Sequence, residues 1–159
     1  MSRRGGVRLK KVSPDPIYKN RILAKLINRS MRDGKKSVAQ KEIYKAFELI
    51  KMKTNEDPIK IFSQALDNIK PSTEVRPRRV GGAAYQIPIP VRGPRKESLA
   101  IRWLIAAARA RSNSEFKTFA EKLASELMDA AKGEGSAVKK RTDVERMAEA
   151  NRAFAHFRW

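Results

Sequence analysis

A mainly α-helical fold is predicted, with six helices, one protruding two-stranded antiparallel β-ribbon and an extended basic N-terminal arm. Three observations predict it. Apolar residues recur at i, i+3, i+4 and i+7 through most of the chain, the signature of helices with one buried face. One stretch, from Val75 to Lys96, switches to a period of two. The segment from Met1 to Pro16 follows neither period and interleaves its cations with Gly and Pro.

Taken in order, residues 1–16 form the basic arm, with Arg3, Arg4, Arg8, Lys10 and Lys11. Residues 17–71 hold three helices. The first is expected from about Ile17, with Ile22, Leu23, Leu26, Ile27 and Met31 on one side, and ends at Asp33-Gly34. After the loop DGKKS comes a second helix with Ile43, Ala46, Phe47 and Ile50 inward, and Ser37 and Gln40 are spaced as a capping box. Asp57-Pro58 is an N-cap acid before a first-turn proline; Ile59, Phe62, Leu66 and Ile69 mark the third helix, which Pro71 closes.

The ribbon occupies residues 72–92. Tyr85, Ile87, Ile89 and Val91 alternate with Gln86, Pro88 and Pro90, so two faces are chemically distinct. Gly81-Gly82 suits a tight reversal with positive φ. Pro88 and Pro90 remove two N–H donors from the same edge; if that edge is the outer one, a third strand is forbidden there and an isolated arm is predicted. Val75 to Lys96 carries six cations (Arg76, Arg78, Arg79, Arg92, Arg95, Lys96) and no acid, so a polyanion is the natural surface for it to lie against. The competing reading is a solvated hairpin whose charge serves solubility.

Residues 94–159 hold three more helices and a C-terminal tail. The fourth follows Gly93-Pro94 and runs to about Arg111, with Ile101, Leu104, Ile105 and Ala108 inward and Arg95, Arg102 and Arg109 seven residues apart on another side. The fifth is expected to open at Ser114, bury Phe116, Phe119, Leu123 and Leu127, and stop at Gly133. The sixth begins near Ser136 with Lys139-Lys140-Arg141 in its first turns, where cations oppose the helix dipole and an external anion would relieve them. No repeat or composition break divides the chain, so residues 1–159 are expected to form one domain.

Composition narrows the function. Lys and Arg number 36 against 17 Asp and Glu, a formal charge of +19 on 159 residues, which points to nucleic acid as the partner. Without cysteine there is no thiolate nucleophile or Cys-based metal site, and a reducing intracellular compartment is expected. Apolar runs such as Trp103 to Ala108 are too short to span a bilayer, so no membrane partner is expected. His156 is the only histidine, three residues from Trp159, and without cysteine no Cys-His dyad can form; a surface or contact role is expected for it. Acids are scattered singly beside cations, as in Glu145-Arg146, which suits helix salt bridges better than a metal cluster. No catalytic residue, metal site or cofactor is expected. Trp103, at helical spacing, reads as core, whereas Tyr85 and Trp159 are candidates for stacking on bases. A DNA-binding architectural or regulatory protein is the alternative class, and a nucleic-acid-processing enzyme is the third.

The segments PDPIY at Pro14, DGKKS at Asp33, VRPRRVGGAAYQIPIPVR at Val75, AIRWLIAAAR at Ala100 and SAVKKRTDVERMAEANRAFAHFRW at Ser136 resemble, in order and over essentially the whole chain, the bacterial small-subunit ribosomal protein S-seven family. The resemblance implies a cytoplasmic structural protein that binds the 3′ major domain of 16S ribosomal RNA and organises the head of the small subunit. It implies rRNA contacts from the arm, from Lys35 and Lys36, from Arg76, Arg78 and Arg79, and from Arg95, Arg102, Arg109 and Arg111. Arg92, Lys139 and Lys140 join that set by their charge and position. The ribbon tip, with Gly81, Gly82 and Tyr85, and the last helix, with Arg141 and Arg146, would face exit-site tRNA and departing mRNA. Further implied partners are neighbouring head proteins and a platform ribosomal protein.

Overall fold

The computed structural model describes residues 12–157, so the expected contacts of Arg3, Arg4, Arg8, Lys10 and Lys11, and the stacking role of Trp159, lie outside the described residues. Six α-helices and one two-stranded sheet follow in the expected order: α1 Arg21–Ser30, α2 Lys36–Thr54, α3 Pro58–Ile69, β1 Thr73–Val80, β2 Ala83–Pro90, α4 Gly93–Ala110, α5 Phe119–Ala131 and α6 Ser136–Ala150. A 3-10 helix, Arg152–Phe157, was not anticipated.

Helix boundaries moved where a polar side chain or a tight turn captured the backbone first. Expected from about Ile17, α1 starts at Arg21, because Asp15 accepts hydrogen bonds from the Ile17 and Tyr18 N–H groups at 3.2 and 3.1 Å and folds that stretch into a turn. Asn20 then caps the helix, accepting from Ile22 and Leu23. Asp15 is buried, and its other oxygen accepts the Tyr44 hydroxyl at 2.7 Å, so the end of the arm is fastened to α2. Burial, and then the bond to Asp15, push the Tyr44 phenol up to about 12.

The expected Ser37/Gln40 capping box does not form. α2 begins at Lys36 with Lys35 in the capping position, so Ser37 already lies within the helix. Asp33 and Gly34 take positive φ, 51° and 72°, and turn the chain tightly enough to start the helix early. α3 has the expected start, with Asp57 accepting the Ile59 N–H at 3.0 Å. α5 begins at Phe119 rather than Ser114: Thr118 and Glu121 form a reciprocal capping box that outcompetes the Ser112–Ser114 turn before it. Phe116 therefore sits outside the helix, half-buried, with the Arg111 guanidinium 5.6 Å from its ring centre.

α5 is the axle of the helical body and packs against α2, α3 and α4. Leu123 and Leu127 are fully buried on it, while Ala120, Ala124 and Ala130 let its neighbours approach closely. Phe47 and Phe62 meet with ring centres 5.7 Å apart beside Ile43, Ile50 and Leu66, and Leu104 enters from α4. Trp103 is half-buried against this core, consistent with the packing role expected of it.

The ribbon pairs Val80 with Ala83 across Gly81-Gly82, whose φ values of 58° and 89° are those of a two-residue primed turn. Pairs then alternate between exchanging and not exchanging hydrogen bonds; Val91 N–H donating to the Ser72 carbonyl at 3.0 Å places the even-numbered residues of β1 in the exchanging set. Pro77, Pro88 and Pro90 all fall in the other set, so the outer edge of β1 loses one donor and that of β2 two, and the sheet has two strands. The expectation of an isolated arm is corrected, however. The 3-10 helix packs on β2 and α6 on β1, and Ile87 is fully buried. An apolar face of Tyr85, Ile87, Ile89 and Val91 is worth burying, and the C-terminal segment covers it.

Replacing Phe47 by Ala should lower unfolding free energy by about 3–5 kcal/mol, whereas Thr118→Ala, which removes only a cap, should lower it by about 1 kcal/mol. Urea unfolding of the two variants tests this, and equal losses would contradict Phe47's placement in the centre of the core.

Candidate nucleic-acid interface

The cations divide into those tied into the fold and those turned outward. On the ribbon, Glu74 is buried at 7% exposure and accepts from Arg76 Nε at 2.7 Å and from Arg95 Nε at 3.2 Å. This one carboxylate joins the foot of β1 to the first turn of α4. Arg76 and Arg95 each keep about half of the side chain exposed, 54% and 42%, so they can anchor and still present charge. Arg78 stands opposite Tyr85 on the face turned toward the body, whereas Arg79, opposite Ala84, lies exposed on the outer face. The three ribbon arginines are therefore not equivalent.

The Arg95, Arg102, Arg109 row runs along α4 as the seven-residue spacing predicts. Its two ends are tied down and its middle is not: Arg109 donates to the Ser30 carbonyl at 2.9 Å, while Arg102 is exposed and makes no ion pair among the described residues. Burial, and then the nearby Arg32 and Arg29, lower the Arg109 pKa, which marks accumulated positive charge at the α1–α4 junction.

Arg111 is held inside the fold. It donates to Glu126 at 2.8 Å, to the Ser125 hydroxyl at 2.8 Å and to Asp129, and hydrogen bonds with Asp129 and Glu126 outweigh burial to raise its pKa. Glu126 is fully buried, and its second oxygen accepts the Ala137 N–H at 2.9 Å. Sequence reading took the acids as partners of sequence neighbours and missed this network, whose members are 11 to 18 positions apart.

Arg141 is likewise turned inward. It donates to the Asn68 carbonyl at 2.6 Å and lies 3.7 Å from Glu145. Glu145 accepts from the Ser72 N–H at 2.9 Å and its hydroxyl at 2.8 Å, so α6 grips the ribbon's root. Burial raises the Glu145 pKa, but the Ser72 bonds and the charges of Arg141 and Lys96 outweigh it, and the net shift is downward.

Tyr85, expected as an exposed stacking residue, is half-buried, its ring centre 5.1 Å from Phe154 and 5.6 Å from Phe157. Its ring packs at a tilt against both, because the tail folds back over β2. His156 is exposed, as expected, and lies beside Phe157. Lys35, Lys36, Arg92, Lys139, Lys140 and Arg146 are exposed without ion pairs among the described residues. Gly81 and Gly82 form an open tip, and a methyl group added to either would meet nothing within 4 Å. Among the described residues no three His, Asp or Glu side chains gather as a metal site, and no helix is long and apolar enough to cross a membrane.

Outward cations on the ribbon, α4, α6 and the α1–α2 loop, over a body stiffened by internal ion pairs, are the equipment of a structural nucleic-acid-binding protein. The sequence is consistent with that class and narrows it. Residues 2–152 match the family described as Ribosomal protein S7p/S5e. Proteins named Small ribosomal subunit protein uS7 are similar over the full length: that of Caldicellulosiruptor saccharolyticus is 55% identical over 159 residues, all of both chains. The protein from Thermosipho africanus is 57% identical over 157 residues, 99% of each chain, and that from Thermodesulfovibrio yellowstonii 56% over 159 residues, all of both. The chain belongs to the S7p/S5e family of ribosomal proteins; it is a structural component of the translation machinery and not an enzyme.

Two outcomes are expected from the internal pairs. Arg111→Ala should destabilise the fold by about 3 kcal/mol, because it leaves Glu126 buried beside no cation; chemical unfolding measures it. Because the folded Glu145 carboxyl titrates below its ordinary value, its contribution is present above that value and lost as pH falls through the lowered one. Glu145→Gln should therefore weaken the fold at neutral pH and lessen its acid sensitivity, read from urea midpoints across an acid titration.

Proposed function

We propose that this protein binds the 3′ major domain of 16S ribosomal RNA in the small subunit and organises the head around it. Family membership supports the ribosomal setting, and the dispersal of outward cations over several faces supports binding to more than one RNA segment. The observation that carries the reading is the division of labour among the arginines: Glu74, Glu126 and Glu145 hold a rigid body together, while exposed cations such as Arg79 and Arg102 are turned outward toward phosphates.

In this reading Arg79 on the ribbon, Arg102 on α4, Arg92 between them, and Lys35 and Lys36 at the α1–α2 loop neutralise phosphates directly. Arg76, Arg95 and Arg109 contribute both anchorage and charge, and Arg78 works at the ribbon's inner margin. Arg111 and Arg141 act through the fold by positioning α5 and α6. Lys139, Lys140 and Arg146 extend the charged surface along α6, and the arm residues Arg3, Arg4, Arg8, Lys10 and Lys11 supply further cations for the RNA. The ribbon tip at Gly81-Gly82, small and open, and the outer face of α6 would border exit-site tRNA and the outgoing mRNA. Tyr85 would support that tip by packing against the tail. Contacts with neighbouring head proteins and a platform protein complete the proposed setting.

Arg79→Ala and Arg102→Ala should each weaken binding to a 3′ major-domain transcript and lower the salt slope by about 1 per side chain. Filter binding over a range of potassium concentrations gives both quantities. Retention of the full slope in the double variant would remove these residues from the interface, and equal affinity for duplex DNA would favour a general nucleic-acid binder.

A further inference from the structure

A cavity of about 390 Å³ opens where the α1–α2 loop, the start of α2, the end of α4 and the start of α5 converge. Its walls carry five cations, Arg32, Lys35, Arg109, Lys117 and Lys122, against one acid, Glu42. Glu42 is already engaged, accepting the Ala120 N–H at 3.2 Å. Lys122 is only 8% exposed, yet its ammonium is held by two neutral oxygens, the Arg111 carbonyl and Asn113 Oδ1, both at 2.6 Å, and it has no carboxylate partner among the described residues. A buried charge without a counter-charge is costly unless something anionic completes the site.

Apart from Ser30 and Asn113, the rest of the lining is apolar. Val38 is 54% exposed although it is a large aliphatic side chain, and Ala39 and the partly buried Phe119 lie beside it. A bare phosphate would have no use for that floor. A planar base with a phosphate attached would use both parts, and the volume is that of a small-ligand site. RNA-binding proteins commonly take unstacked bases into such recesses, against an aromatic or apolar surface.

We propose that this cavity receives a single extruded nucleotide of the bound RNA, its base against Val38 and Phe119 over Ala39 and its phosphate at the cationic rim. The inference rests on the ribosomal RNA reading above and adds to it a nucleotide-specific contact that charge neutralisation alone does not supply. An acidic protein segment shares the charge but not the flat apolar complement.

Val38→Trp in the full chain fills the cavity from an exposed position and leaves every cation in place; Val38→Ala keeps it open. Both are compared with the unaltered chain for binding to the 3′ major-domain transcript across salt concentrations, with base-reactivity footprinting of the same complexes. Val38→Trp should lose about tenfold in affinity with an unchanged salt slope, and one unpaired base protected by the unaltered chain should become reactive again, while Val38→Ala retains that protection. If circular dichroism shows that Trp disturbs α2, Val38→Phe provides the same comparison. An unaltered affinity and footprint in the filled variant overturns the cavity assignment and leaves the ribosomal reading standing. Unaltered RNA binding with poorer incorporation into subunits transfers the cavity to a protein segment and overturns it too. Saturable binding of adenosine monophosphate that Val38→Trp abolishes, with no RNA footprint at the site, makes the occupant a soluble nucleotide and ends the RNA assignment. A starting chain that ignores the transcript defeats the ribosomal RNA reading and this inference together.

Discussion

The buried carboxylate of Glu126 is the constraint on which the arrangement depends. It is fully enclosed, and it joins three elements at once: its own helix α5, the end of α4 through Arg111, and the start of α6 through the Ala137 N–H. A Cβ at Gly135 would come within 3.0 Å of a Glu126 oxygen, and Gly135 has φ near 93°, so the turn into α6 is shaped around this group. A buried pair of this kind is poor evidence of net stability, since well-packed apolar residues could match it. What it provides is a single arrangement: a guanidinium fork and two carboxylates tolerate little sliding of one helix on another.

With a net charge of +19, the chain repels itself before any partner arrives. Its buried or half-buried acids sit where cations from separate elements would otherwise have no counter-charge: Glu74 at the ribbon's foot, Glu97 between α1 and α4 through Lys25, Glu126 and Asp129 at the end of α4, and Glu145 at the root of α6. Internal acids thus rigidify the body, and the outer faces retain excess positive charge. Stiffness matters for binding, because a scaffold whose cations are already separated loses less entropy when RNA segments settle on it.

The ribbon illustrates how packing changes the meaning of a motif. Its prolines end pairing on both edges, as their chemistry requires, yet the arm does not stand alone. Tyr85 and Ile87 face the body, and Phe154 and Phe157 of the 3-10 segment close over Tyr85. Orientation of the ribbon is therefore set at both ends of its length, by Glu74 with Arg95 at the foot and by the tail aromatics nearer the tip.

Helical periodicity, the glycine turn, the proline edges and the cationic excess could all be read directly, because each depends on residues within a few positions of one another. Asp57 capping α3 and the inward face of α4 were legible for that reason. The start of α1, the start of α2 and the start of α5 were misplaced because Asp15, the Asp33-Gly34 turn and the Thr118–Glu121 box competed with neighbouring signals of similar strength. The cation list was legible as a list, but not its division: nothing local distinguishes Arg102, exposed, from Arg111, bound to carboxylates 15 and 18 positions away. Composition and short-range pattern alone determined a basic helical body with one ribbon. Only tertiary structure decided which cations remain for a partner, because ion pairing depends on distances between helices, and those are settled by how the core packs.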